Sequence, residues 1–302
     1  MSHAQIVEVS PRDGLQNDPA ELSTADKVEL VRRCADAGLT RIEAASFVNP
    51  QRVPQMADAE AVLAGAEEAL GSRRAAVALI GLVLNGRGFI RAALTSVDEV
   101  NLVVMTTDSF SLANQGMTTE QAVRTVEEVV PLATAAGIPA SVVLSATFGC
   151  PFEGEVPVGR VVELAARLSR TGVVELAVAD TIGVAVPADV TRRVAAVRAV
   201  TGDIPLRAHF HNTRNTGYAN ALAAYDAGVA VLDASLGGIG GCPFAPRATG
   251  NIATEDLVYA LERSGIDTGC DLDALISASE WLGERLGRPT PSLVSKAGGF
   301  PA

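Results

Sequence analysis

Short apolar runs rich in β-branched residues alternate along the chain with longer amphipathic segments. The runs that predict β-strands are, in chain order, residues 5–10, 41–46, 76–84, 99–105, 140–146, 174–179, 206–211 and 230–235. They are nearly all apolar rather than alternating, which is typical of parallel strands buried on both faces. The pattern therefore predicts eight strands of one parallel sheet.

The segments between these runs carry helix signals. In residues 23–38, Ser23 or Thr24 can cap the first turn, and Gly38 suits a left-handed exit. Residues 118–137 follow the same plan, although Pro131 is expected to kink or divide that helix. A further helix is predicted over residues 271–287, which contain the only tryptophan, Trp281.

Eight strand–helix units without a linker, a change of composition or an internal repeat predict a closed (β/α)8 barrel, an α/β TIM barrel. We expect one domain over residues 1–302, with the barrel over about 4–265 and a C-terminal helical extension over about 266–302. An open, doubly wound sheet is the alternative. It is disfavoured because no GxGxxG motif opens a helix after the first strand.

Composition narrows the class of protein. The chain has 302 residues, 48% of them hydrophobic, and a net charge of −11, which argues against nucleic acid as the main partner. No apolar run reaches the roughly 18 residues of a membrane span, and no basic, apolar leader is visible at the start. The four cysteines are far apart and form no CxxC pair. These features predict a cytoplasmic globular protein with no nucleic-acid or membrane partner.

Candidate chemistry collects where the predicted strands end. In a TIM barrel the functional residues lie at the C-terminal ends of the strands and in the loops that follow. Ionisable and reactive residues at these ends, in otherwise apolar surroundings, are Arg12, Asp13, Glu43, Asp180, His209, His211 and Cys242. Because such groups are costly to bury without partners, their shared location indicates an active site.

His209 and His211 are two of only three histidines in the chain. Residues i and i+2 of a strand point to the same face, so both imidazoles are expected to face the barrel axis, close enough to share one cation. With a strand-end aspartate nearby, the ligand types suit Mg²⁺ or Mn²⁺ rather than a closed structural zinc site. The spacing therefore predicts a divalent-metal site.

Each candidate also has a structural interpretation. Asp13 precedes Gly14 and can be a turn residue. Arg12 can be a surface ion-pair residue, and Asp180 can cap the helix that begins near Pro187. Cys242 can be a small buried apolar residue next to a flexible glycine turn.

Six segments, in order along nearly the whole chain, resemble the 3-hydroxy-3-methylglutaryl-CoA lyase family: VEVSPRDGLQN, FVNPQRVPQMAD, FGCPFEG, ADTIGV, AHFHNT and GGIGGCPFAPRATGNIATEDLVY. The resemblance implies a metal-dependent lyase that cleaves an acyl-CoA substrate by a retro-Claisen reaction to acetyl-CoA and acetoacetate. It also implies a homo-oligomer, expected to be a dimer. The wider superfamily shares only the Arg-Asp pair, the His-x-His pair and the barrel.

The same resemblance assigns roles to individual residues. The cation would be held by Asp13, His209, His211 and Asn251. Arg12 would stabilise the enolate oxygen, and Cys242, on a mobile glycine-rich loop, would take part in proton transfer. The supporting polar shell would consist of Glu43, Asp180 and Glu255.

The sequence departs from the family pattern at two places. The family run His-Asp-Thr-Tyr-Gly is replaced by residues 211–215, HNTRN, so Arg214 stands where the family has tyrosine. Arg247 in the glycine-rich loop is a candidate for binding a substrate carboxylate or a CoA phosphate. These departures leave open a related substrate such as citramalyl-CoA. The sequence is also compatible with a condensing synthase of the same superfamily or with a non-catalytic barrel.

Overall fold

The structure, a computed structural model, describes residues 2–241 and 250–301. Eight parallel strands close into a barrel in chain order, and the last strand pairs back with the first. The strands are β1 (Gln5–Glu8), β2 (Arg41–Ser46), β3 (Ala78–Leu82), β4 (Glu99–Met105), β5 (Ala140–Ser145), β6 (Glu175–Asp180), β7 (Leu206–Phe210) and β8 (Val231–Ala234). This architecture confirms the predicted TIM barrel.

Helices follow the strands around the barrel. In the described ranges they are α1 (Thr24–Asp36), α2 (Ala59–Leu70), α3 (Gly86–Ala93), α4 (Asp108–Gln115), α5 (Thr119–Ala135), α6 (Val158–Leu168), α7 (Pro187–Thr201), α8 (Gly217–Asp226), α9 (Thr254–Arg263), α10 (Leu272–Leu286) and α11 (Val294–Ala297). None of these described helices combines the length and the apolar character needed to cross a bilayer.

The helix boundaries follow the local signals closely. The Ser23 hydroxyl accepts a hydrogen bond from the backbone N–H of Asp26 at 3.1 Å, and Gly38 has a φ of +94° just after α1. Helix α5 continues as one helix through Pro131, so the proline does not divide it. The helix buries one valine-rich side, including Val126 and Val130, and this packing outweighs the local cost of the proline.

The barrel interior is more polar than the sequence pattern indicated. Arg41 on β2 forms an ion pair with Glu175 on β6, with 2.9 Å between Nη1 and Oε2. Strands β2 and β6 lie on opposite sides of an eight-stranded barrel, so this contact passes through its interior. The prediction of nearly all-apolar strands is therefore wrong for the inward face. Charged residues are accommodated there because they pair with one another across the axis.

Two short turns shape the C-terminal mouth of the barrel. A single π-helical turn, Ser10–Gly14, follows β1, and a 3-10 turn, Leu236–Gly238, follows β8. A Cβ atom added at Gly14 would lie only 2.8 Å from the side chain of Ile239, so glycine is required where the segments meet. The first turn carries Arg12 and Asp13, and it thereby holds both at the mouth.

Candidate active site

Asp13, His209 and His211 converge at the mouth of the barrel. One potential ligand atom from each lies within 4.8 Å of the others, and the two imidazole centroids are 5.1 Å apart. Asn251 is brought to the same place because residues 211 and 251 form an isolated β-bridge. Thus the structure brings together all four side chains that the resemblance assigned to the metal.

Two polar atoms of this group lack hydrogen-bond partners among the described residues, as expected of a cation site. The Asn251 amide nitrogen donates to Asp13 Oδ2 at 2.9 Å, whereas its Oδ1 is buried and finds no hydrogen-bond donor among the described residues. Nδ1 of His211 is buried and similarly unpartnered within the same ranges. Leaving such atoms unsatisfied costs about 1–3 kcal/mol each. A cation at this position would use the lone pairs that the protein leaves free.

The charge states of the nearest groups also suit a cation. Burial, and then the charge of His209, lowers the pKa of His211 to about 3, so its imidazole is neutral. Burial opposes ionisation of Asp13, but nearby positive charge, that of Arg12 above all, outweighs burial and holds the pKa of this carboxyl well below its ordinary value. A carboxylate and a neutral imidazole are the forms that bind metals.

Arg12 is held beside this group by two carboxylates. Its Nε donates to Glu43 Oε2 at 2.6 Å, and its Nη1 donates to Asp13 Oδ1 at 2.7 Å. Glu43 is buried on β2 and also accepts a hydrogen bond from the Asn101 amide at 2.9 Å. Arg12, Asp13 and Asn101 all line the cavity at the barrel mouth. The guanidinium is therefore fixed in orientation next to Asp13 and the two histidines.

Asp180 and Glu255 lie behind the site. Both carboxylate oxygens of Asp180 accept backbone N–H groups of the following loop, from Val184 and Ala185, each at 2.9 Å. Glu255 is buried on α9 and accepts the backbone N–H of Gly237 at 3.0 Å. Neither carboxylate lines the cavity. Their contacts shape the loops that follow β6 and β8.

Three predictions concern the loops at the mouth. Arg214 donates from Nη1 to the carbonyl oxygens of Gly183 at 2.8 Å and Ile182 at 3.2 Å, so it ties the loops after β6 and β7 together. It does not line the described cavity. Cys242 and Arg247 lie outside the described residues, and their roles stay predictions.

Asp233 is a site residue that the sequence analysis did not single out. It lies on β8, lines the cavity, and places Oδ2 at 3.2 Å from Nδ1 of His209. The available signal was a lone acidic residue within the apolar run AVLDAS (230–235). Because an ionised carboxylate can only accept, this contact favours the proton on Nδ1 and leaves the other ring nitrogen available to a cation.

The charges inside the barrel do not balance. Among the described residues, and leaving the histidines out of the count, the carboxylates along the barrel axis outnumber the arginines by five to three. They are Arg12, Arg41, Arg207, Asp13, Glu43, Glu99, Glu175 and Asp233. Uncompensated charge is costly in a buried interior. A single divalent cation at the mouth would restore neutrality.

Comparison with known proteins identifies the family. The sequence model of the HMGL-like family matches residues 3–282. The chain is 44% identical to (R)-citramalyl-CoA lyase of Chloroflexus aurantiacus over 99% of its own length and 96% of that protein. It is 38% identical to a hydroxymethylglutaryl-CoA lyase of Bacillus subtilis, over 95% of this chain and 94% of the relative.

Solved structures agree with the sequence relatives. An HMG-CoA lyase from Acinetobacter baumannii, in complex with coenzyme A and 3-methylmalate, superposes with a TM-score of 0.93 at 41% identity and covers 99% of this chain and 96% of that one. The Bacillus subtilis HMG-CoA lyase superposes with a TM-score of 0.93 at 37% identity and 98% coverage of both chains. With the match over residues 3–282, these similarities show that the chain belongs to the HMGL-like family and is a carbon–carbon lyase.

Proposed function

We propose that the protein is a divalent-metal-dependent lyase that cleaves a 3-hydroxy-3-methylglutaryl-CoA-type thioester to acetyl-CoA and acetoacetate. The observation that carries the proposal is the convergence of Asp13, His209 and His211, with ligand atoms within 4.8 Å, beside the unpartnered Asn251 Oδ1. Oxygen and imidazole ligands of this kind suit Mg²⁺ or Mn²⁺. The acyl-CoA class of substrate is supported by the relatives, which are named as CoA-thioester lyases.

Four side chains would hold the cation: Asp13, His209, His211 and Asn251. A bound divalent cation supplies Lewis-acid polarisation, which lowers the pKa of a substrate hydroxyl and orients it. The carboxylate of Asp13 is itself oriented by Arg12 and Asn251, through contacts of 2.7 and 2.9 Å. The chain therefore presents its ligands in a fixed arrangement before substrate arrives.

The bond changes of the retro-Claisen reaction define what the protein must stabilise. The substrate loses its 3-hydroxyl proton to a base, the C3–O bond becomes a carbonyl, and the C2–C3 bond breaks. The electron pair moves to C2 and is delocalised onto the thioester oxygen as an enolate. Arg12, held in place by Glu43, is positioned to stabilise that oxygen, and one such donor contributes roughly 3–4 kcal/mol.

The enolate must then gain a proton at C2 to leave as acetyl-CoA. Cys242 follows the glycine-rich residues 237–241 and is proposed to supply or relay this proton.

A second candidate substrate is (R)-citramalyl-CoA. It is favoured by the 44% identity to the Chloroflexus enzyme, which exceeds the 38% identity to the Bacillus enzyme. The two substrates differ by one methylene between the hydroxyl-bearing carbon and the carboxylate, and citramalyl-CoA yields pyruvate instead of acetoacetate. One methylene is worth about 10–200-fold in discrimination, so a direct comparison can separate the candidates.

The test is a parallel assay of both thioesters with Mn²⁺, which follows acetyl-CoA release and identifies the keto acid by mass spectrometry. Preferred release of acetoacetate supports the first candidate, and preferred release of pyruvate supports the second. The matched control is the double variant His209→Ala/His211→Ala, which should lose both Mn²⁺ binding and turnover. Cleavage of neither thioester, or unchanged Mn²⁺ binding in the double variant, would contradict the proposed function.

A further inference from the structure

A network of buried ion pairs runs along the barrel axis below the metal-binding group. At its base, Arg41 pairs with Glu99 and with Glu175, each at 2.9 Å. Glu175 also lies 3.1 Å from Nε of Arg207, whose side chain is only 1% exposed. The proposed catalytic mechanism uses neither Arg41 nor Arg207, although burying both guanidinium groups is costly.

The strand register places Arg207 directly below the metal site. Arg207 and His209 are two residues apart on β7, so both side chains point into the barrel at successive levels. Arg207 is in register with Val231 of β8, which puts Asp233, two residues further along, at the level of His209. The Asp233 carboxylate therefore lies between the two, with Oδ1 at 3.6 Å from Arg207 Nη1 and Oδ2 at 3.2 Å from His209 Nδ1.

The contact between Arg207 and Asp233 is electrostatic. Among the described residues, Nε and Nη2 of Arg207 have no hydrogen-bond partner, and neither does Oδ1 of Asp233. The pair is nevertheless almost completely buried, with 1% and 5% of the two side chains exposed. Coulomb attraction is only weakly screened in such surroundings, so a charge at 3.6 Å exerts a strong orienting force.

We propose that Arg207 is a positioning residue of the metal centre, which holds the Asp233 carboxylate against Nδ1 of His209. The opposite ring nitrogen of His209 is thereby directed to the cation. Arg207 acts through Asp233, does not line the cavity at the barrel mouth, and also forms an ion pair with Glu175. This inference rests on the proposed metal site and adds a layer of supporting residues below it. Hydrogen-bond partners of metal-bound histidines commonly change metal affinity about 10–100-fold when they are altered.

The first test is calorimetric titration of Mn²⁺ into the chelator-treated, full-length protein. The decisive variant is Arg207→Gln/Glu175→Gln, which removes the positive charge together with its second carboxylate and so leaves the net interior charge unchanged. We expect the Mn²⁺ dissociation constant to rise at least about tenfold. Two controls should stay within about twofold of the parent: Glu175→Gln alone, and Arg193→Met. Arg193 is a similarly buried arginine, with 2% of its side chain exposed, on α7.

The second test needs no metal. With only three histidines in the chain, ¹⁵N NMR of the metal-free protein can resolve the side-chain signals individually. In the parent, His209 should carry a hydrogen-bonded proton on Nδ1, and Arg207→Gln/Glu175→Gln should weaken or lose this signal. Arg207→Lys keeps the positive charge and should retain both the signal and the Mn²⁺ affinity to within about threefold.

Each result decides between positioning and a purely structural role. A folded Arg207→Gln/Glu175→Gln protein with parent-like Mn²⁺ affinity, or with an unchanged His209 signal, would overturn the inference. An Arg207→Lys protein whose Mn²⁺ dissociation constant is raised about tenfold or more would also overturn it, and this result can be read even if the neutral variant does not fold. If the parent protein binds no Mn²⁺, the proposed function fails, while the metal-free His209 signal still tests Arg207 independently.

Discussion

Glu255 offers a quantitative test of how burial acts on a carboxyl group in this fold. It is fully buried, and its Oε1 has no hydrogen-bond partner among the described residues, although Oε2 accepts the Gly237 N–H. Burial raises the pKa of Glu255 from its ordinary value of 4.5 to about 7, and hydrogen bonds from Ser279 and Gly237 only partly oppose this. The perturbation is Glu255→Gln, which keeps the size and an acceptor oxygen but removes the titration.

The direction of the effect follows from proton binding. The folded protein holds the Glu255 proton more tightly than the unfolded chain, so the free energy of unfolding falls as pH rises from about 4.5 to about 7. Above about pH 7, Glu255 is ionised in both the folded and the unfolded chain, and the loss of unfolding free energy is complete. It amounts to about 3 kcal/mol, because each tenfold change in proton affinity is worth about 1.4 kcal/mol. With about 2 cal/mol/K of unfolding entropy per residue, the difference corresponds to about 5 °C in Tm.

The assay is calorimetric unfolding of the parent and of Glu255→Gln in parallel, at about pH 5 and about pH 8. Part of the effect is already present at about pH 5, so about 2.5 kcal/mol of it falls between the two conditions. The Tm of the variant relative to the parent should therefore rise by about 4 °C, since all other titrating groups cancel in the comparison. Glu262→Gln, at an exposed position on the same helix α9, is the matched control for the loss of a glutamate side chain. A Tm difference for Glu255→Gln that is independent of pH would refute the reasoning.

Two further predictions concern the proposed chemistry. Arg12→Met, assayed at saturating Mn²⁺, should lose about 10²–10³-fold in kcat with a smaller effect on KM, because its guanidinium acts on charge that develops in the transition state. A variant that keeps most of its kcat would make Arg12 an ordinary ion-pair residue. Cys242→Ser should retain metal binding and lose about 10²–10⁴-fold in kcat, and a substrate analogue should slow alkylation of the parent thiol. Full activity of Cys242→Ser without ligand protection would remove the thiol from the mechanism.

Much of the fold and part of the site could be predicted from the order of residues. Eight apolar runs separated by helix signals specify a barrel, because buried parallel strands need helices on their outer face. The two-residue spacing of His209 and His211 specifies that they share a face, since side chains alternate along a strand. These are local rules, and each one needs only neighbouring residues.

The tertiary structure alone decided which distant residues meet. Asn251 reaches Asp13 across 238 positions of sequence, and Arg41 reaches Glu175 across the barrel from the opposite strand. The inward charges were missed because a pattern of apolar runs does not show which of two buried faces is the barrel interior. A charge such as Arg207 is tolerated only when its partners arrive from other strands, and barrel closure and register determine that pairing.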